Sequence, residues 1–157
     1  FVNFIMGTFE LYTQTAERRE IDFTYTHTVE ELPIYIDVDS IDKVMMNLLS
    51  NAFKYTSDGG SIEVKLDVGI DESKSGPLRN YAQVSISDNG IGMDKETGEK
   101  IFDKFYQGDT SHSKAGNGLG LALVKKVIDK IGGEINVKSE LNYGSEFTVK
   151  VEDKWKN

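Results

Sequence analysis

Asn47, Asn51 and Lys54 lie one helical turn apart within the stretch MMNLLSNAFKYT, residues 45–56. At about 100° per residue, Ile41, Val44, Met45, Leu48, Ala52 and Tyr55 form one stripe, and the three polar residues form a second beside it. An amide near a core needs a partner, because burying it unpaired costs free energy. A solvated helix edge would supply water as that partner. The alternative is a cleft. Amide oxygens are neutral hard ligands suited to a magnesium ion whose charge is met mostly by phosphates, and Lys54 would reach those phosphates as a point charge.

Two further stretches carry chemistry. In YAQVSISDNGIGM, residues 81–93, strict alternation puts Asp88 on the same face as Ala82, Val84 and Ile86. A carboxylate facing a core needs a donor, and an exocyclic amine on a flat ring would serve, with Gly90 and Gly92 allowing close approach. Asp-Asn-Gly is also an ordinary turn with an Asx cap. In GNGLGLALVKKVIDKI, residues 116–131, Gly116, Gly118 and Gly120 lead into a helix, whose free N–H groups and dipole could cradle a phosphate. A hinge before a helix is the plainer alternative. Neither the P-loop pattern nor a strand-preceded Rossmann fingerprint is present.

The elements that must position these groups follow from periodicity. Phe1 to about Arg18 reads as a helix, and Ile21–Thr28 as a strand with Ile21, Phe23, Tyr25 and His27 on one face. A short strand is expected over Ile34–Ile36 after Pro33, then an N-cap at Asp39 or Ser40 for the helix holding Asn47 and Asn51. Ser57-Asp58-Gly59-Gly60 stops that helix. Alternation from Ile62 to Val68 and from Tyr81 to Asp88 predicts a hairpin joined by a long loop over 69–80. A short helix around Glu99–Phe105 precedes the polar segment 107–118, and a longer helix runs from Leu119 to Ile131, capped by Gly132-Gly133. Strands over 134–139 and 146–152 close around Asn142-Tyr143-Gly144. This pattern predicts an α/β (α+β) two-layer sandwich: one mixed, mostly antiparallel sheet with helices on one face.

Composition narrows the functional classes. A chain of 157 residues fits one domain, and we expect a piece of a longer protein, since it opens at Phe1 inside a periodic segment. The formal charge of −8 argues against nucleic acid as a partner, because phosphate backbones are held by clustered Lys and Arg. Any bound polyanion must rely on backbone dipoles, Lys54, Lys114 and a cation. With no cysteine there is no disulfide, thiolate metal site or cysteine nucleophile. No apolar run is long enough to cross a bilayer, and no membrane contact by this segment is expected.

Taken in order, NLLSNAFKYT, DNGIGM, IFDKFYQ and GNGLGLAL resemble the N box, first glycine box, phenylalanine box and second glycine box of the ATP-binding catalytic domain of bacterial sensor histidine kinases. The wider family includes gyrase, the heat-shock-ninety chaperones and mismatch-repair ATPases. The resemblance covers nearly the whole chain. It implies ATP held between the N-box helix and a flexible lid at about Tyr106–Asn117. Asp88 would accept from the adenine amine, with Gly90, Ile91, Gly92 and Met93 lining the base pocket. Asn51 would ligate Mg2+ with Asn47 close by, Lys54 would contact phosphate and Tyr55 would pack near the nucleotide. Gly116, Asn117, Gly118, Leu119 and Gly120 would shape the lid hinge and donate N–H groups to the phosphates, while Phe102 and Phe105 anchor the lid. Gln107, Lys104 and Asn117 depart from common family residues, which bears on the γ-phosphate contacts. An amide at Asn47, where hydrolysing relatives commonly carry glutamate, favours phosphoryl transfer over hydrolysis.

The implied reaction phosphorylates a histidine on a separate helical dimerisation domain that precedes this one, with residues 1–18 leading from it. A response regulator receives the phosphate later, and the location implied is the cytoplasmic part of a membrane-anchored sensor. No residue of this chain is expected to be catalytic in its own right, and His27 and His112 lack the helical acidic neighbour of a phosphoacceptor. Two other readings stay open: an ATP-hydrolysing conformational machine and a non-catalytic nucleotide-sensing module.

Overall fold

The computed structural model describes residues 1–71, 79–103 and 120–153. Along the chain run α1 (Val2–Glu10), α2 (Thr13–Arg18), β1 (Asp22–His27), α3 (Val38–Tyr55), β2 (Ser61–Asp71), β3 (Arg79–Asp88), α4 (Lys95–Lys100), α5 (Gly120–Lys130), β4 (Glu134–Glu140) and β5 (Gly144–Glu152). The strands form one sheet in the order β1-β2-β3-β5-β4, leaving β1 and β4 at its rims. β1 runs parallel to β2, and the remaining neighbours are antiparallel. This is the mixed sheet expected from the alternating segments.

Register explains why the sheet has one apolar face. Reading across the strands, His27, Leu66, Val84, Val149 and Ile135 form one rung, and Tyr25, Val64, Ile86, Phe147 and Val137 form the next. Against these rungs pack Val2 and Ile5 of α1, Ala16 of α2, the α3 stripe of Ile41, Val44, Met45, Leu48 and Ala52, and Val124 and Ile128 of α5. The opposite face carries Glu63, Lys65 and Asp67 beside Gln83, Ser85 and Ser87, then Glu146, Thr148 and Lys150. Such residues need no cover, so the helices share one side. A third apolar-side rung differs from the others: Phe23 and Ile62 are followed by Asp88, Ser145 and Ser139. The core face turns polar at this end of the sheet.

Several boundaries differ from those read in the sequence. The first helix is two, because the chain turns at Leu11 and Tyr12. Phe9 stacks on Phe23 at 4.1 Å and Tyr12 on Phe53 at 5.1 Å. Residues 34–36 form no strand: the N–H of Tyr35 donates to Asp153 Oδ1 at 3.0 Å instead of to a neighbouring strand. The N-cap of α3 is Asp37, neither Asp39 nor Ser40; its Oδ1 accepts from the N–H of Ser40 at 3.2 Å, which puts Asp39 in the first turn. β2 and β3 extend past the expected hairpin ends to Asp71 and from Arg79. α4 starts earlier and ends sooner than expected, because Asp94 caps it by accepting from the N–H of Thr97 at 2.7 Å. The end of α5 follows expectation. Gly132 has φ +73, and the N–H groups of Gly133 and Gly132 return to the carbonyls of Ile128 and Asp129, a Schellman pattern.

Candidate functional site

Asp88 ends β3 in the polar rung, half-buried, with Ile62 on one side and Ser145 on the other. Its Oδ1 accepts from the N–H of Gly90 at 2.9 Å, which closes an Asx turn. Burial pushes the Asp88 carboxyl above the usual aspartate range, opposed by the N–H groups of Gly90 and Ser145 that favour its charged form. The turn reading and the buried-carboxylate reading of Asp-Asn-Gly therefore both hold.

The loop after Asp88 is fixed from two sides. The N–H of Ile91 donates to the Tyr55 carbonyl at 3.2 Å, tying the loop to the C-terminal end of α3. The carbonyl of Ile91 accepts from the N–H of Asn142 at 2.6 Å, tying it to the β4–β5 turn. Both glycines are needed for this docking. A Cβ on Gly90 would run into the Tyr55 carbonyl, and one on Gly92, where φ is +63, would run into that of Glu140. The close approach inferred from the sequence is thus made by the protein's own backbone. Ile91 is left 39% exposed beside the loop, whereas Met93 packs partly buried against the core.

On α3, Asn47, Asn51 and Lys54 are half-buried along one edge, as their spacing implied, and Tyr55, assigned by spacing to the apolar stripe, is half-buried as well. Asn47 Nδ2 donates to the Lys43 carbonyl at 2.8 Å, so part of its hydrogen bonding is met within the helix. Its Oδ1 lies 2.9 Å from where a Cβ of Gly120 would stand, so Asn47 faces the first residue of α5. Lys54 Nζ lies 5.3 Å from the Tyr55 ring centroid. The edge of α3 therefore meets the Asp88 loop at Tyr55 and the start of α5 at Asn47, eight residues or about 12 Å apart along the helix. Gly116, Asn117, Gly118 and Leu119, together with the expected lid, Lys104, Phe105, Gln107 and His112, lie outside the described residues.

Sequence reasoning missed the β4–β5 contribution. Ser139 Oγ accepts from the N–H of Met93 at 2.8 Å and lies 3.0 Å from the Gly144 carbonyl and 2.8 Å from Ser145 Oγ. This hydroxyl joins the loop after Asp88 to the turn before β5. Gly144, with φ +118, lies against the backbone of Asp88 and Asn89, leaving no space for a side chain. The signal was present in Asn142-Tyr143-Gly144, but it read only as a hairpin turn. A depression of about 400 Å³ is lined by Asp88, Ser139, Ser145, Lys138 and Glu146 among others; Asn47, Asn51 and Lys54 do not line it. It is distinct from the edge of α3.

No group of three or more His, Cys, Asp or Glu among the described residues could hold a metal ion. A metal here would depend on neutral amide oxygens and on the ligand's own anionic oxygens, a donor set that fits magnesium carried by phosphates. His27 is half-buried on β1 with Nδ1 2.7 Å from the Val29 carbonyl, an ordinary packing position.

Residues 36–154 match the family described as histidine kinase-, DNA gyrase B-, and HSP90-like ATPase. The chain is 31% identical over 163 residues to the sensor histidine kinase WalK of Bacillus subtilis (strain 168), which covers 99% of this chain and 25% of WalK. It thus spans about a quarter of that relative's length. The catalytic domain of histidine kinase ThkA, nucleotide free, superposes with a TM-score of 0.78 at 27% identity, covering 96% of this chain and 91% of that one. ThkA in complex with the response regulator protein TrrA gives 0.75 at 25% identity over 97% of this chain and 40% of that chain. Full-length ShkA in complex with AMPPNP gives 0.76 at 25% identity over 96% of this chain and 29% of that chain.

Proposed function

The chain belongs to the histidine kinase-, DNA gyrase B- and HSP90-like ATPases, and from that premise we propose that it binds Mg-ATP and donates the γ-phosphate to a histidine on a separate helical dimerisation domain. The observation that carries this reading is the half-buried carboxylate of Asp88, set where the apolar rungs end and raised in pKa by burial. Such a group lacks a full complement for its charge until a donor such as the adenine amine arrives. Ile91 and Met93 would line the base, with Gly90 and Gly92 holding their loop in place. Tyr55 would pack beside the nucleotide. Asn51, helped by Asn47, would hold the magnesium ion, which when bound neutralises phosphate charge. Lys54 would contact the phosphates, and Gly116, Asn117, Gly118, Leu119 and Gly120 would wrap them with N–H groups.

Asn47 supports transfer over hydrolysis, because its amide has no basicity near neutral pH and its Nδ2 is already engaged by the Lys43 carbonyl. An ATP held without a general base persists until an acceptor meets it. The complex of ThkA with TrrA supports a response regulator as the downstream partner, and residues 1–18 would lead from the dimerisation domain. Among the described residues no helix is long and apolar enough to cross a membrane; we place this domain on the cytoplasmic side of a membrane-anchored sensor.

Calorimetric titration with AMPPNP, with and without magnesium, tests the binding half, and Asn51→Ala should abolish the magnesium dependence. Transfer is tested by incubating the chain and labelled ATP with a dimerisation domain from the same protein. Steady ATP hydrolysis by the isolated chain, with no label on the added histidine, would instead favour a conformational ATPase.

A further inference from the structure

The last turn of a helix leaves carbonyls without partners inside the helix, and at the end of α3 those of Phe53, Tyr55 and Thr56 are met from elsewhere. Arg19, just after α2, donates from Nη1 to the Phe53 carbonyl and from Nη2 to the Thr56 carbonyl. Its Nε pairs with Asp58 Oδ1 at 2.7 Å, and its own carbonyl accepts from the N–H of Gly59 at 3.0 Å. Of the two carbonyls between those of Phe53 and Thr56, that of Tyr55 accepts from the N–H of Ile91. Arg19 therefore grips the helix end on both sides of the carbonyl by which α3 holds the loop after Asp88. A guanidinium suits this task because its planar fork presents several donors in fixed directions, which an ammonium does not. Its side chain is only 23% exposed, whereas that of Asp58 is 76% exposed. The two carbonyl bonds are thus the sheltered part of the arrangement, and the ion pair is its solvent-facing rim.

We infer that Arg19 is a positioning residue for base recognition: by fixing the Phe53 and Thr56 carbonyls it sets the Tyr55 carbonyl, and through Ile91 it sets the loop that presents Asp88. The inference rests on the nucleotide-binding function proposed above. It assigns to a residue outside all four motifs a share in the choice of base.

The test compares the 157-residue chain with its Arg19→Ala and Arg19→Lys variants, each measured below its melting temperature. In Arg19→Ala, AMPPNP affinity should fall about tenfold, the scale of a charged hydrogen bond lost, and the preference for AMPPNP over GMPPNP should shrink with it. Arg19→Lys, with one ammonium for two carbonyls, should recover only part of either. The Ile91 amide resonance of the nucleotide-free chain should move in both variants. A lower melting temperature with unchanged affinity, unchanged base preference and an unmoved Ile91 resonance would reduce Arg19 to a stabilising cap and overturn the inference. If the unaltered chain bound no AMPPNP, the proposed function would fall by itself, and an unmoved Ile91 resonance would still refute the coupling.

Discussion

Asp88 is held against its own solvation preference, and this has opposite consequences for stability and binding. Because its folded-state pKa is raised, the folded chain holds more protons than the unfolded chain between the ordinary aspartate value and the raised one. Its contribution to stability is therefore present at low pH and lost as pH rises through the folded value. Asp88→Asn keeps an acceptor for the N–H groups of Gly90 and Ser145 but removes the charge. The variant should melt above the unaltered chain at pH 7, and the gap should close as the pH falls towards the ordinary aspartate range; a variant less stable at pH 7 would refute this. Asp88→Ala should weaken AMPPNP binding by about 1–3 kcal/mol, the value of a charge-assisted hydrogen bond, as read by calorimetry. Thr56 makes a second residue-scale case. Its Oγ1 is buried with no hydrogen-bond partner among the described residues, so Thr56→Val should raise stability by about 1 kcal/mol in urea denaturation. The alternation in YAQVSISD made the inward-facing carboxylate legible from the sequence. The bonds of Arg19 were not, because they join residues 34 and 37 positions apart and no local period marks them.

At the scale of elements, periodicity located the long helix and all five strands of the described sheet because their buried stripes repeat over several turns or rungs. It failed where the fold departs from the local pattern. The first helix breaks at Leu11 and Tyr12, where the apolar spacing runs on without a breaker residue. Tyr35 alternates like a strand residue but spends its N–H on Asp153, so no ladder forms. The β4–β5 turn was legible as a turn, but its docking onto Asp88 was not, since register decides which rung it meets. That docking makes two glycine substitutions differ sharply. Gly144→Ala would set a side chain at φ +118 against the Asp88 backbone, and should cost at least about 2 kcal/mol in chemical denaturation. Gly98→Ala, in α4 with nothing within 4 Å of the added carbon, should gain about 0.5–1 kcal/mol by restricting the unfolded chain. Equal effects from the two would mean that the turn does not rest on Asp88 in solution.

For the molecule as a whole, a formal charge of −8 must coexist with an anionic ligand. Local donors at the edge of α3 act within a few ångströms, whereas net charge acts over the screening length. Between about 10 and 150 mM salt that length contracts from about 30 to about 8 Å. The association rate of a fluorescent ATP analogue should therefore rise with salt in stopped-flow mixing, and a falling rate would mean that local positive groups govern the approach. Composition made this charge imbalance legible from the start. The order of strands has a further consequence. β4, at one rim, alternates Glu134, Asn136, Lys138 and Glu140 outwards along its length. A foreign strand seeking to extend the ladder there would have to bring its backbone beside a row of mixed charges, an arrangement that resists amyloid-like stacking. Concentrated preparations should accordingly remain dispersed, with light scattering staying flat until the fold itself melts.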